Sequence, residues 1–253
     1  MKLELDKWKV VWGIVLLVLS MVTYLAHFII FHDPHHLFIF LVGDVAFVFI
    51  EVLIVSMIIH ELLNYREKRR MFEKLNMVIG AFFSEVGTGL LRRFNEFNEN
   101  GDKIKAWLIA CGEWPEDKFQ SASSECHFYE YRIECQKGNM MDLKEFLLGK
   151  RNFLLNLLQN SNLLEHETFT SLLWAVFHLT EELAEREDVN CLPRTDYRHL
   201  AHDMERAYTL LVAEWLTYMK HLKGKYPYLF SLAMRTNPFD RYASPVVNSA
   251  TDI

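Results

Sequence analysis

Hydrophobic and polar positions divide the chain near residue 60. Val10 to Phe31 holds no Asp, Glu, Lys or Arg over 22 residues, and Leu37 to Ile59 is apolar over 23 residues apart from Asp44 and Glu51. At 1.5 Å per helical residue, each run is long enough for a hydrocarbon core of ~30 Å. The pattern therefore predicts two transmembrane helices, 10–31 and 37–59, closed into a hairpin by the five residues His32-Asp33-Pro34-His35-His36. A signal peptide fits the first run poorly. It exceeds a usual h-region, lacks a small-residue cleavage site and is followed at once by a second apolar run.

Beyond residue 60 the apolar residues recur at helical intervals. Leu62, Leu63, Met71, Leu75, Val78, Ile79, Phe82 and Phe83 mark one Pro-free helix from His60 to Asn98, with Gly87 and Gly89 as the expected break or kink. Further helices are predicted over 104–111, 115–135, 142–159, 165–186, 195–223 and 228–234. Breaks fall at Lys137-Gly138-Asn139, Asn160-Ser161-Asn162 and Leu192-Pro193-Arg194, all with turn chemistry. No run reads as an alternating strand, so the expected class is all-α: a two-helix transmembrane hairpin, a long connecting helix and a cytoplasmic helical bundle. The expected domains are 1–60, 61–99 and 100–236, with 237–253 as a flexible tail after Asn237-Pro238.

Charge supplies an orientation. Lys2, Lys7 and Lys9 precede the first run, the connecting loop has no Lys or Arg, and Arg66, Lys68, Arg69, Arg70 and Lys74 follow the second. The positive-inside rule then puts both chain ends in the cytoplasm and the hairpin in the cell membrane. Trp8 and Trp12 sit at the level of an inner aromatic belt. The basic cluster from Arg66 to Lys74 is expected to bind anionic lipid headgroups. A net charge of -6 excludes nucleic acid as the main partner, because neutralising phosphates requires a basic face. Cys111, Cys126, Cys135 and Cys191 are too widely spaced for a CxxC motif and read as free thiols in a reducing compartment.

The two acids of the second run carry most of the chemistry. Asp44 and Glu51 lie seven residues apart, two turns on one stripe, separated by ~10 Å along the axis. A carboxylate at mid-bilayer costs roughly 2.5–3.5 kcal/mol and is functional by default. No Lys or Arg in either run can pair with these acids, so His27 is the expected partner of Asp44. The expected arrangement is a homo-oligomer whose Asp44 and Glu51 faces turn to a common axis, with Gly43 permitting close helix approach. Carboxylate rings of that kind admit cations or relay protons, with a cation bound at Asp44 and Glu51 and His27 tuning the outer ring. In outline this resembles the pore subunit of the mitochondrial calcium uniporter, with two spans, a short loop and acidic rings on the second span. That family spaces its Asp and Glu three apart and follows them with Pro. The spacing of seven here, with no Pro after Glu51, departs from it.

Two weaker constellations complete the reading. His32, His35 and His36 with Asp33 could take a transition metal at the mouth of the hairpin. His178 with Glu181 and Glu182, and His199 with His202 and Glu205, have the spacing of a bundle metal site, which would make the domain a metalloenzyme. A solvated polar face accounts for both groups more simply, and no Walker, GxGxxG, GxSxG or HExxH motif marks an enzyme. The functional expectation is a cation or proton channel or transporter with a cytoplasmic regulatory domain. The rival is a membrane-anchored helical scaffold or signalling adaptor that recruits a cytoplasmic protein.

Overall fold

A computed structural model of the chain describes residues 7–160, 163 and 166–247, excluding the side chains of Lys7, Lys9, His36, Leu37 and Phe72. Among them the secondary structure is helical, with no strand and a single antiparallel bridge between Asn98 and Ile133. The chain divides into two units, Met1–Lys68 and Arg69–Ile253. The division falls inside one helix, eight residues beyond the domain end expected from hydropathy.

The first unit contains α1 (Lys7–Phe31) and the opening of α2 (Pro34–Phe82). Both helices are long and apolar enough to cross a membrane, with mean hydropathy of 2.5 and 2.7 over their most apolar windows. The connection is two residues, not five. His32 ends α1 in the left-handed conformation (φ 52°), its N–H donating to the Phe28 carbonyl at 3.0 Å. Asp33 then accepts from the His35 N–H at 2.9 Å, and Pro34 takes the first helical position, which needs no N–H.

In the second unit α2 runs without interruption into a π-helical turn (Phe83–Gly87) and then α3 (Thr88–Phe97). The expected break at Gly87 is thus a change of hydrogen-bond register. A Cβ on Gly87 would lie 2.5 Å from the Phe83 ring, so the close turn requires glycine there. Next come α4 (Asp102–Ile109), a 3₁₀ turn (Ala110–Glu113), α5 (Glu116–His127), α6 (Met140–Leu158), α7 (Glu167–Ala184), α8 (Arg194–Lys225) and α9 (Pro227–Arg235). Helix α8 is the hub, packing on α3, α5, α7 and α9, while α6 packs on α7. Its buried residues, among them Tyr208, Leu211, Val212 and Trp215, recur at helical spacing. Asn139 caps α6, its side chain accepting the Asp142 N–H at 3.0 Å. Asn139→Ala is expected to cost about 1 kcal/mol in urea unfolding, with no change of slope.

Two sequence expectations fail in this unit. The helix expected over 115–135 stops at His127. Beyond it Tyr131, Ile133 and Cys135 point into the core while Arg132 and Glu134 face solvent, and the Glu99 and Glu134 N–H groups pair with the Arg132 and Phe97 carbonyls. A period of two, with backbone pairing to residues 97–99 of the same chain, outweighs helix formation in this segment. The tail expected from residue 237 begins as core. Asn237 and Phe239 are buried, the Phe239 ring lies 5.0 Å from Trp215, and the Asn237 amide donates to the Leu108 carbonyl at 3.2 Å. Residues 248–253 of that expected tail lie outside the described residues.

Candidate functional site

Helix α1 carries Ser20, Thr23, Tyr24 and His27 at the i, i+3, i+4, i+7 spacing that places them on one face. With Asp44 and Phe40 of α2 they line a cavity of about 560 Å³ within the first unit. The Tyr24 hydroxyl donates to Asp44 Oδ2 at 3.2 Å. Thr23 is already committed, its hydroxyl donating to the Leu19 carbonyl at 2.8 Å. Asp44 is therefore satisfied by Tyr24 and not by His27, which corrects the expected pairing. The phenol reaches across between the helices, and His27 turns its ring toward Phe31 at 4.7 Å. His27 still lines the same cavity, and its buried Nδ1 has no hydrogen-bond partner. Tyr24 is the residue that sequence reasoning missed, although the polar stripe through Ser20 and His27 already marked its face.

The other expected site residues are more scattered. Glu51 is exposed, does not line this cavity and makes no hydrogen bond or ion pair among the described residues. His32 and His35 are exposed, and their backbone groups end α1 and begin α2; the side chain of His36 lies outside the described residues. Of the basic cluster, Arg69 pairs with Glu73 at 3.5 Å, while Arg66, Lys68, Arg70 and Lys74 are exposed without ion pairs among the described residues. Lys2 lies outside the described residues.

In the second unit α7 and α8 bring His178, Glu182, His199 and Asp203 together. His178 Nε2 and His199 Nε2 each lie 3.4 Å from Asp203 Oδ2, and Glu182 is 3.8 and 3.5 Å from the same two nitrogens. Two arginines already hold the carboxylates. Arg186 donates to Glu182 at 2.8 Å and to Asp196 at 2.7 Å, and Arg206 donates to Asp203 at 2.6 Å. Its hydrogen bonds from Arg186 keep Glu182 and Asp196 below the ordinary carboxylate range. No group of three or more His, Cys, Asp or Glu side chains among the described residues is arranged to hold a metal. Arg206 takes the Oδ1 of Asp203 and Arg186 the Oε2 of Glu182, and the cluster reads as an ion-pair network along the α7–α8 seam. His202 and Glu205 stay outside it.

Two family models match the chain, and between them they cover nearly all of it. The model described as "Uncharacterized protein MJ1433, C-terminal helical domain" matches residues 71–235, and "MJ1433, N-terminal helical domain" matches 2–63. The chain is also 44% identical to "Uncharacterized protein MJ1433" of Methanocaldococcus jannaschii over 230 residues, 90% of this chain and 92% of that protein. The chain belongs to the MJ1433 family. The two family domains meet between residues 63 and 71, where the two structural units also divide, and their descriptions agree with the all-helical architecture. No solved structure matches the chain.

Proposed function

We propose that this member of the MJ1433 family is an integral membrane protein of the cell membrane, with spans 10–31 and 37–59 and both ends cytoplasmic. In this reading Asp44 is the protonatable centre of a cation or proton pathway. One observation carries it: in an otherwise apolar helix pair, a carboxylate, a phenol and an imidazole converge on one cavity, with Tyr24 donating to Asp44 at 3.2 Å. Support for the membrane placement comes from burial, since none of the most apolar window of either helix is buried within the chain. A core helix of a soluble protein would bury most of it.

The chemistry follows from the groups present. An ionised Asp44 attracts a cation or takes a proton, and the Tyr24 hydroxyl donates to it and fixes its orientation. His27, with one nitrogen unpaired, is placed to pass a proton into the cavity. Glu51, two turns further along α2, is unpartnered within one chain, and self-association supplies what shields it from lipid. The membrane lipids and a second copy of the chain are thus the expected partners. The Arg66 to Lys74 cluster holds the cytoplasmic side to anionic headgroups.

Reconstituted in liposomes, the protein is expected to carry cations or protons, Asp44→Asn and Glu51→Gln to abolish the flux, and Tyr24→Phe to slow it about tenfold. Normal flux in both carboxamide variants would refute the pathway. A wild type with no flux, whose Asp44 and Glu51 variants change only oligomeric state, would establish the anchored scaffold instead.

A further inference from the structure

The second unit contains a larger cavity that the pathway does not use. It measures about 1030 Å³ and is bounded by the end of α2, the π turn and the start of α3 on one side, and by α8 and α9 on the other. Its apolar surface includes Met77, Phe83, Trp215, Leu229 and Leu232. Helix α9 buries none of its own residues, leaving Leu229 and Leu232 turned toward this space and substantially exposed. The volume is at the upper end of the ~300–1,000 Å³ of small-molecule sites, which pair an apolar lining with a few convergent polar groups.

The polar groups give the ligand its sign. Arg92 and Lys225 line the cavity and make no ion pair among the described residues; Arg92 spends one N–H on the Thr236 carbonyl at 3.0 Å. The one lining carboxylate, Glu73, is already paired with Arg69 at 3.5 Å. Burial and the nearby Lys225 hold His221 below its ordinary pKa, so at neutral pH that ring adds no charge. The hydroxyls of Ser84, Thr88 and Tyr218 also line the cavity and hydrogen-bond to nothing among the described residues. Tyr218 stacks on Phe83, ring centroids 5.1 Å apart, and Gly80 leaves room for its hydroxyl, since a Cβ there would stand 3.1 Å from it. The wall is therefore apolar, carries two uncompensated cations and offers free hydroxyl donors. A π-helical turn contributes to it, a feature that recurs at functional sites.

We propose that this cavity binds an anionic amphiphile, its carboxylate or phosphate head held by Arg92 and Lys225 and its aliphatic chain lying over Met77, Phe83 and Leu229. The two cations set the preference for a negative head, and the apolar lining supplies most of the affinity. Such a ligand comes either from free fatty acid or from an acidic lipid, and both share the chemistry recognised here. The binding is independent of the Asp44 pathway.

The test is equilibrium binding to the full-length protein in phosphatidylcholine nanodiscs, with radiolabelled palmitate, its methyl ester and phosphatidate as probes. Palmitate, phosphatidate or both are expected to bind saturably, one per chain, and the uncharged ester at least tenfold more weakly. Palmitate binding identifies a single-chain ligand; binding of phosphatidate alone identifies a membrane lipid. Arg92→Ala and Lys225→Ala should each weaken the anionic probe about tenfold while leaving the ester unchanged, and Arg92→Lys should retain most of the affinity. Ala81→Trp, which fills the space, should abolish all binding. Melting temperatures of the exposed Arg92 and Lys225 variants serve as the folding control. No saturable binding by either anion, equal binding of ester and acid, or unchanged affinity in both alanine variants would overturn the proposal.

Discussion

Phe82→Ala is expected to lower the stability of the helical unit by about 3–5 kcal/mol. Phe82 is the last residue of α2 and is fully buried. Its ring meets Phe83 at 5.4 Å and Phe169 of α7 at 5.3 Å, both edge-to-face. Truncation removes the transfer free energy of the ring and both aromatic contacts, and it leaves a void at the junction of α2 and α7. The π turn that follows cannot move in to fill that void, because Phe83 is itself buried and stacked on Tyr218. For a unit of this size each kcal/mol shifts the melting temperature by roughly 2–4 °C, so a fall of about 6–20 °C is expected by near-UV circular dichroism. Phe128 is the internal comparison, being 83% exposed. Phe128→Ala should change stability by no more than about 0.5 kcal/mol. Equal effects from the two truncations would mean that the α2–α7 junction is not packed as described.

Replacing Glu214 by Gln is expected to stabilise the protein by up to about 3 kcal/mol near pH 8, with the gain vanishing at acid pH. Glu214 is buried on α8, with one oxygen accepting from Thr168 at 3.1 Å and the other unpartnered among the described residues. Desolvation pushes its pKa from the ordinary 4.5 up to about 7, and the Thr168 hydrogen bond offsets this only in part. Between those two values the folded chain holds a proton that the unfolded chain has released, so stability falls as pH rises through that window. The full cost is present above about pH 7 and absent below the unfolded pKa. His166, which contacts Thr168, titrates in the opposite sense. Burial holds its pKa below the ordinary 6.5, so its contribution grows as pH rises toward that value. Subtracting the Glu214→Gln curve from wild type isolates the carboxyl. A difference that does not vary between pH 4.5 and 7 would show that Glu214 is hydrated in the folded state.

The helical class, the two apolar runs, the break at Gly138-Asn139 and the long helix through Phe82 were all legible in the sequence, because each rests on neighbours within one or two turns. The site was half legible. Asp44 and His27 stood out as polar groups within the two apolar runs, and the structure brings both to one cavity. Their partner was misassigned because a search for groups able to carry positive charge beside a carboxylate passes over a phenol. The face shared by Ser20, Thr23, Tyr24 and His27 was readable and would have pointed to Tyr24. The alternation of Tyr131, Ile133 and Cys135 was equally readable, but five residues are too few to outweigh a helical pattern on either side. The histidine pairs on α7 and α8 had the spacing of metal ligands. Arg186 and Arg206 stand four and three residues from the carboxylates they hold and were equally readable; only the fold brings the α7 and α8 groups together, His178 onto Asp203 and His199 onto Glu182.

By itself, then, the sequence determined an all-helical chain with a sharp hydropathy boundary, and the positions of the acids on their helix. These follow from periodicity, which is a local property of the backbone. Tertiary structure alone decided which donor satisfies Asp44, where α5 ends, and that Asn237 and Phe239 close the core beside Trp215. Those decisions are made by bonds between residues far apart in the chain, 20 positions for Tyr24 to Asp44 and 143 for Asn95 to Pro238. No repeat in the sequence encodes such pairs. They form only when folding brings a distant donor and acceptor within hydrogen-bond reach.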